Sequence, residues 1–522
     1  MRIGSGSTPR ALLGAAALAL STGAAAQGLF GLGYPLEKPG LQPGVRASAT
    51  WSDNVRHRAG GGDSDLILEV SPYIVAESNA PRANYRLFYQ IRNFLRVSEG
   101  ETNFFRQALN AQGSFALIDD RFGVDLTGYM GTIGASAMGP ITTDPASSFS
   151  NTANVRHFSV SPWYRDVLGR LATYQLRYTA AHSGGSSSFA TAKLSQTASA
   201  QADGIQGASK WNWRWYGSIQ RREFNSGFTR DRQHSGGMLF YSVYPTLRVY
   251  GMIDYEQIDG LRNEDGDTDG YGPGAGFDWT PFERTSVSGS VSKRYYGTVG
   301  NLSLAHSTQR TTMGLRWSRS VLTSADASLL MFNPSSLTSG FGAGIGRENP
   351  VITSLLSSGI VLPPGTVLTQ GMFTDAAIMT RQLTAFWGLR GARNSLTFTG
   401  FFSNRESTTE LQSNTQFSGI RGSAVFGGIF VGEIRERGLI ASYSHRLDGR
   451  SAIDVVADRR RIESPTAFFE TQYTSFRVGY RTWITSDMEG FAGVRRRVQS
   501  GHGRSASYDE NSIYAGVDMR FY

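Results

Sequence analysis

Apolar and polar residues alternate along this chain with a period of two. In the segment 83–97, apolar side chains fill nearly all the odd positions, whereas Arg86 and Arg92 fill even ones. The alternation recurs in the segments 210–220 and 475–484, and helical spacing explains none of these windows. Because successive side chains of a β-strand point to opposite faces, the pattern predicts strands with one apolar and one arginine-rich face.

The predicted strands are each about as long as the ~9–11 residues that a membrane-spanning strand requires. Their connections alternate in length, from a short one at 448–449 to a long one at 406–436. A soluble sandwich would not need so many strands of this length. The chain is therefore predicted to be all-β: a large antiparallel transmembrane β-barrel of about 20–22 strands, with short periplasmic turns and long extracellular loops.

The C-terminal segment 512–522 is an amphipathic strand that ends on aromatic residues. Val517, Met519 and Phe521 lie on its apolar face, and Tyr522 lies one residue beyond that register. This ending resembles the recognition signal of outer-membrane barrels, with either Phe521 or Tyr522 as the terminal aromatic. We assign these four residues to a C-terminal assembly signal that the barrel-assembly machinery reads.

The N-terminus has the pattern of a secretory signal peptide. Arg2 and Arg10 make the first ten residues positively charged, an apolar run covers 11–20, and small residues precede the predicted cleavage after residue 26. The run is too short to cross a bilayer as a helix. We therefore divide the chain into a signal peptide (1–26), a periplasmic segment (27–43) and a barrel (44–522) that includes a long loop (333–377).

Composition agrees with a barrel and excludes several other classes. Hydrophobic residues make up 40% of the chain, too few for a helical membrane protein, while the 62 glycines and 12% aromatics suit strands that are apolar on one face. The absence of cysteine removes thiolate metal sites and cysteine nucleophiles. The formal charge is +9, but the basic residues are spread around the predicted wall, which does not indicate a nucleic-acid partner.

The polar face of the predicted strands is rich in arginine and also carries aromatic residues. A net-positive, water-filled lumen attracts anions, and aromatic faces can stack on sugar rings. The alternative is that the arginines pair with inward acids and stiffen the wall. The arginines predicted to face the lumen are Arg86, Arg92, Arg96, Arg177, Arg214, Arg248, Arg316, Arg390, Arg477, Arg481 and Arg495. The aromatics predicted to face it are Phe88, Phe94, Tyr216, Tyr250, Phe386 and Phe491.

Several short strings resemble one family of outer-membrane proteins. They are Thr-Trp-Ser-Asp-Asn at 50–54, the segment 64–72, Gly-Pro at 272–273 leading into Trp-Thr-Pro at 279–281 and Arg-Thr-Ser at 284–286, and Tyr-Asp-Glu-Asn at 508–511. These strings resemble the β-barrel family found with PEP-CTERM/exosortase exopolysaccharide systems. The resemblance implies a position near polysaccharide export and brings no catalytic residues. The loop 333–377 is longer than the family would lead us to expect.

One acidic loop has the spacing of calcium ligands. Asp265, Asp267 and Asp269 alternate, and a glycine occupies the sixth place, as in the first half of an EF-hand loop. The twelfth place, however, is Gly276, and the flanking segments are predicted strands. We expect a solvated acidic loop with these three aspartates as a weak calcium candidate, and we assign no other metal and no cofactor.

An outer-membrane enzyme is the remaining alternative, since such enzymes set a serine, a histidine and a carboxyl or amide group on the barrel wall. His157 has no serine partner that the sequence places at a matching depth, and His445 shares a face with apolar residues. We therefore predict a non-enzymatic protein of the bacterial outer membrane, a porin-like channel associated with export of an anionic exopolysaccharide. The alternative is a structural barrel for surface retention. The expected partners are outer-membrane lipid, the assembly machinery and an anionic polysaccharide.

Overall fold

The fold is described from a computed structural model of the chain. The described residues are 40–60, 62–98, 103–119, 121–134, 139–141, 152–185, 192–205, 209–224, 227, 229–259, 261, 266–322, 378–407, 433–465, 468–502 and 506–521. The predicted signal peptide, the loop 333–377, Asp265 and Tyr522 lie outside these ranges.

The described residues form an all-β structure of 22 strands in a single sheet. The strands are β1 (Gly40–Ser52), β2 (Asp65–Ala80), β3 (Ala83–Arg96), β4 (Phe104–Ile118), β5 (Phe122–Gly134), β6 (Thr152–Leu168), β7 (Ala172–Gly185), β8 (Ala192–Gly204), β9 (Trp211–Phe224), β10 (Thr229–Tyr244), β11 (Leu247–Ile258), β12 (Asp269–Phe282), β13 (Thr285–Arg294), β14 (Gly297–Ser307), β15 (Thr311–Leu322), β16 (Ile378–Arg390), β17 (Asn394–Ser407), β18 (Glu433–Arg446), β19 (Ser451–Ser464), β20 (Phe469–Trp483), β21 (Met488–His502) and β22 (Tyr508–Arg520). Among these residues there is no helix long and apolar enough to cross a bilayer.

The sheet closes on itself. Each strand pairs antiparallel with its neighbour in the chain, and β1 pairs antiparallel with β22 from Gly44–Arg520 to Ser52–Ser512. Closure pairs the two edge strands with each other and so removes the exposed edges at which other chains could add. The predicted closed antiparallel barrel is confirmed, at the upper end of the predicted strand number. Its first strand begins at Gly40, ahead of the predicted boundary, because residues 40–43 already pair with β2.

The alternation in the sequence becomes an inner and an outer face of the wall. In β2, Glu69 and Tyr73 are buried, while Leu68 and Val70 on either side of Glu69 are 37% and 44% exposed. The same reversal occurs around the barrel, so large apolar side chains cover its outside; Ile219, for example, is 62% exposed. A closed barrel with an apolar exterior and a polar interior is the architecture of outer-membrane barrels.

The two ends of the barrel differ in their connections. Short turns such as 81–82 and 245–246 lie at the end that also holds the first residue of β1 and the last of β22, here called the short-turn end. The opposite end, the long-loop end, carries the longer connections. The connection that departs most from this pattern is the two-residue turn of Tyr295 and Tyr296, which joins β13 to β14 at the long-loop end. β13 and β14 are the two shortest of the 22 described strands, with 10 and 11 residues. A buried apolar cluster packs against both tyrosines.

Candidate functional site

The barrel interior brings the predicted basic and aromatic residues onto one surface. The cross-strand register places Phe88 opposite Val75 and Arg92 opposite Arg106, all on the inner face. Phe88 and Phe386 are buried there. The remaining predicted lumen residues occupy inner-face positions by the same register, namely Arg86, Arg96, Arg177, Arg214, Arg248, Arg316, Arg390, Arg477, Arg481, Arg495, Phe94, Tyr216, Tyr250 and Phe491.

Most of these arginines form ion pairs with acids on an adjacent strand, or two strands away in the case of Arg177. Arg92 binds Glu69 through two hydrogen bonds, Nε to Oε1 at 2.6 Å and Nη2 to Oε2 at 2.7 Å. The other nitrogen–oxygen pairs are Arg86–Glu77 at 2.9 Å, Arg96–Asp65 at 2.6 Å, Arg177–Asp125 at 2.6 Å, Arg214–Asp203 at 2.6 Å, Arg248–Asp278 at 2.6 Å, Arg481–Asp454 at 3.2 Å and Arg495–Glu510 at 3.2 Å. The wall is thus stiffened by cross-strand pairs, the arrangement that the sequence left open as the alternative.

Even with these pairs, arginines outnumber carboxylates on the inner face of the described strands. Further inward arginines are Arg46, Arg106, Arg165, Arg222, Arg230, Arg232, Arg294, Arg405, Arg460, Arg497 and Arg520, of which Arg222 and Arg497 were also predicted on the polar face by alternation. The inward carboxylates are Asp65, Glu69, Glu77, Asp125, Asp203, Asp254, Glu256, Asp278, Glu436, Asp454, Asp458, Glu489, Glu510 and Asp518. The lumen therefore combines local pairing with a basic balance.

Arginines and aromatic rings stack on the inner face between β9 and β11. The guanidinium carbons of Arg248 and Arg214 lie 4.6 Å and 5.9 Å from the centre of the Phe240 ring. Phe240 in turn contacts the Tyr250 ring, with 5.1 Å between ring centres. Stacked cations and aromatic planes offer both charge and a flat surface to a solute. The predicted mixture of basic and aromatic side chains thus includes direct contacts between the two.

A row of glycines on the inner face of β12 makes room for these rings. The register places Gly272 opposite Asp254 and Gly276 opposite Tyr250. A side chain at Gly276 would collide with the Tyr250 ring, so the missing side chain is what lets that ring lie along the wall. The glycine string 272–276 is therefore closely packed strand backbone.

Near the long-loop end, part of the β5–β6 connection reaches the wall on β21 and β22. The backbone amide of Ile141 donates to Oε1 of Gln499 at 2.8 Å, and the Tyr508 hydroxyl donates to the Ile141 carbonyl at 2.7 Å. Gln499 Nε2 also donates to the Gly139 carbonyl at 3.2 Å. Because β1–β4 separate β5 from β22, the segment 139–141 spans part of the barrel mouth and narrows it.

The β1–β2 connection also packs inside this mouth. The His57 ring stacks on Tyr508 with 4.3 Å between ring centres, and its Nε2 lies 3.1 Å from a Glu510 carboxylate oxygen. Arg495 and Arg497 bind the same carboxylate at 3.2 Å and 3.1 Å. Burial is the main cause that lowers the pKa of His57 below its ordinary value, so the imidazole is neutral at pH 7.

A serine–histidine contact that the sequence did not reveal occurs on β6 and β7. Ser183 lies directly opposite His157, and its hydroxyl is 2.8 Å from His157 Nδ1. The expectation that His157 has no serine at its depth is therefore wrong, because cross-strand register is not visible in one strand's alternation. His157 is only 6% exposed, and among the described residues it contacts no carboxylate that could act as the third group of a triad.

The calcium candidate is only partly described. Asp265 lies outside the described residues, and Asp269 accepts a hydrogen bond from the Tyr255 hydroxyl at 3.1 Å. Within the described part of the chain, no group of three or more metal-ligating side chains is assembled. In the predicted C-terminal assembly signal, Met519 and Phe521 lie outside the wall, 38% and 47% exposed, and the Phe521 amide donates to the Pro43 carbonyl.

Comparison with solved structures gives siderophore receptors and iron transporters. The siderophore receptor PirA from Pseudomonas aeruginosa matches with a TM-score of 0.47 and 8% identity, over 94% of this chain and 82% of that one. The FrpB iron transporter from Neisseria meningitidis matches with a TM-score of 0.47 and 9% identity, over 92% and 82%. Identities this low transfer no ligand. No protein-family model and no curated protein matches the chain.

Proposed function

We propose that the protein is a channel of the bacterial outer membrane whose basic lumen passes anionic, hydrophilic solutes. The excess of arginine over carboxylate on the inner face supports this proposal, because a positive lumen lowers the barrier for anions and raises it for cations. The apolar exterior of the closed wall supports location in the lipid bilayer, after delivery by the barrel-assembly machinery. We further propose that the physiological solute is an anionic exopolysaccharide, in keeping with the sequence resemblance.

Single-channel recording of the purified, folded protein in planar bilayers tests the channel. Under a salt gradient we expect a reversal potential that shows preference for the anion. Arg248→Gln removes a lumen charge that is 43% exposed at its side chain, and it should weaken the preference. Arg435→Gln removes the same charge from an exposed ion pair at Glu433 on the opposite face of the wall and should leave it unchanged. Absent conductance or a preference for cations would overturn the proposal.

A structural barrel for surface retention is the second candidate. It is favoured by the packing of segment 139–141 and of His57 inside the mouth, which leaves less room for a solute. A deletion strain separates the two functions. Loss of polysaccharide export, with polymer held inside the cell envelope, supports the channel. Continued export with loss of polymer or protein from the surface supports retention.

A further inference from the structure

The inner face of β13–β17 differs from the rest of the lumen. On β13 the inward positions are a run of serines at every second residue, Ser286, Ser288, Ser290 and Ser292. Hydroxyl and amide side chains continue this surface on the next four strands, with Asn301, Ser303, Thr312, Ser318, Ser320, Thr380, Gln382, Thr384, Thr397, Thr399 and Ser403. We call the inner face of these five strands the hydroxyl wall.

Carboxylates are missing from the hydroxyl wall within the described ranges 285–322 and 378–407. Four arginines occur on it. Arg294 and Arg405 lie toward the long-loop end and bind acids on strands outside the hydroxyl wall, Arg294 to Asp254 on β11 and Arg405 to Glu436 on β18. Arg390 is the last residue of β16, at the short-turn end. Arg316 is left in the middle of the wall.

Arg316 is distant from any acid along its cross-strand row. The register runs from Asp278 on β12 through Ser288 and Ser303 to Arg316 and then to Thr384. With strands about 4.8 Å apart, the three steps to Asp278 amount to about 14 Å, beyond the reach of an ion pair. Among the described residues, Arg316 forms no ion pair, in contrast to the paired arginines on the opposite wall.

We infer that the hydroxyl wall is a binding surface for a polyhydroxylated anion, with Arg316 as the docking cation. Serine and threonine hydroxyls both donate and accept, so they can exchange hydrogen bonds with successive sugar hydroxyls. Ser288 is partly exposed, and its bond at 2.8 Å to the buried Ser303 joins two neutral hydroxyls, so the Ser288 oxygen can still exchange a hydrogen bond with a ligand. A guanidinium without a carboxylate partner binds an acidic sugar through charge-assisted bonds.

This inference rests on the proposed channel and names the solute class and the wall that binds it. The experiment is block of single-channel current by tetragalacturonate, an acidic tetrasaccharide, compared with maltotetraose, which has hydroxyls but no charge. We expect tetragalacturonate to block at lower concentration. Arg316→Gln should raise its half-blocking concentration by about tenfold or more, since a charge-assisted contact is lost, and leave block by maltotetraose unchanged.

A matched variant separates docking from the general field of the lumen. Arg177→Gln removes an equal charge on the opposite side, where Arg177 is paired with Asp125. We expect it to shift tetragalacturonate block by much less than Arg316→Gln. Equal shifts in the two variants, or equal block by both sugars in the unaltered protein, would overturn the inference. Either result would leave the anion preference of the channel intact, whereas loss of that preference would contradict the proposed function itself.

Discussion

At the scale of single residues, Glu510 holds the most concentrated charge network of the lumen. Its carboxylate binds Arg495 and Arg497, faces His57 and accepts from the Ser52 hydroxyl at 3.0 Å. Both the carboxylate and the Arg497 side chain are fully buried. Charges in such a place are stabilised only by each other, because water cannot screen them.

Replacing Glu510 by Gln should therefore destabilise the barrel strongly. The variant leaves two buried guanidinium groups without their shared acid, a change that costs about 3–5 kcal/mol in comparable buried pairs. Urea unfolding in lipid vesicles measures the change in the free energy of unfolding. The control is Glu463→Gln, which breaks a partly exposed pair with Arg461 and should cost no more than about 1 kcal/mol. Equal losses in the two variants would contradict the buried network.

The buried, neutral state of His57 predicts that the packing of the β1–β2 connection inside the barrel mouth depends on pH. Because its pKa is lower in the folded protein than in the unfolded chain, the unfolded state binds more protons, and stability is lost as pH falls below about 6.5. Protonation would place a third cation beside Arg495 and Arg497, offset in part by Glu510. We expect protease cleavage within the β1–β2 connection to increase as pH falls from 7 to 5.

The variant His57→Asn tests whether this histidine is the cause. His57 has a φ of 52°, in the left-handed region that asparagine tolerates better than most residues. We expect the pH dependence of cleavage to disappear in the variant. An unchanged dependence would assign it to another group.

The sequence predicted the faces of individual residues but not their neighbours. Alternation placed Arg92 and Arg96 inside, yet it gave no sign that Glu69 and Asp65 on β2 would bind them. A strand's alternation determines which side of the wall a residue takes, whereas its partner depends on the register with the next strand. For the same reason, the Ser183–His157 contact could not be anticipated.

At the scale of strands, β12 depends on its inward glycines. Gly276→Val would force the Tyr250 ring away from the wall and should cost about 1–3 kcal/mol through overpacking. Gly400→Val is the control, because nothing lies within 4 Å of a side chain added there and the position is on the outer face, between Phe398 and Phe402. Urea unfolding should show the control to be neutral or stabilising. A loss that is equal at both positions would contradict the packing role of the glycine row.

The contact between segment 139–141 and β21 can be tested by cross-linking, since the chain contains no cysteine. Ile141→Cys combined with Gln499→Cys should be joined by a short bifunctional thiol cross-linker, because the Ile141 amide lies within hydrogen-bonding distance of the tip of the Gln499 side chain. We expect the cross-link to reduce single-channel conductance. Pairing Ile141→Cys with Val498→Cys, whose side chain lies outside the wall, should give no cross-link. Equal cross-linking of both pairs would contradict the inward placement.

The strands were more predictable than their connections. Period-two alternation, short turns and the terminal amphipathic strand together gave nearly all of the architecture. The two-residue turn at Tyr295 and Tyr296 breaks the alternation of short and long connections, and no pattern in the sequence predicted it. Nor could the alternation show that residues 139–141 turn inward, because loop positions follow contacts with distant strands.

At the scale of the whole molecule, closure of the sheet makes one surface apolar and the other polar and basic. The apolar surface lowers the free energy of the barrel in a bilayer, while the enclosed charges require water or partners. The excess of arginine over carboxylate then makes the interior as a whole positive, and this charge does not depend on a single residue. A channel that selects anions through this excess requires a lumen that holds water continuous with the outside.

Thiol labelling of two adjacent residues measures the access of water to the lumen most directly. Arg248 lies inside the wall with its side chain 43% exposed, and Val249, 36% exposed, lies outside. In protein folded into vesicles, we predict that a charged, water-soluble thiol reagent labels Arg248→Cys but not Val249→Cys, and that a lipid-soluble reagent labels Val249→Cys. Labelling of Val249→Cys alone by the water-soluble reagent, or of neither variant, would contradict a water-filled lumen inside an apolar wall.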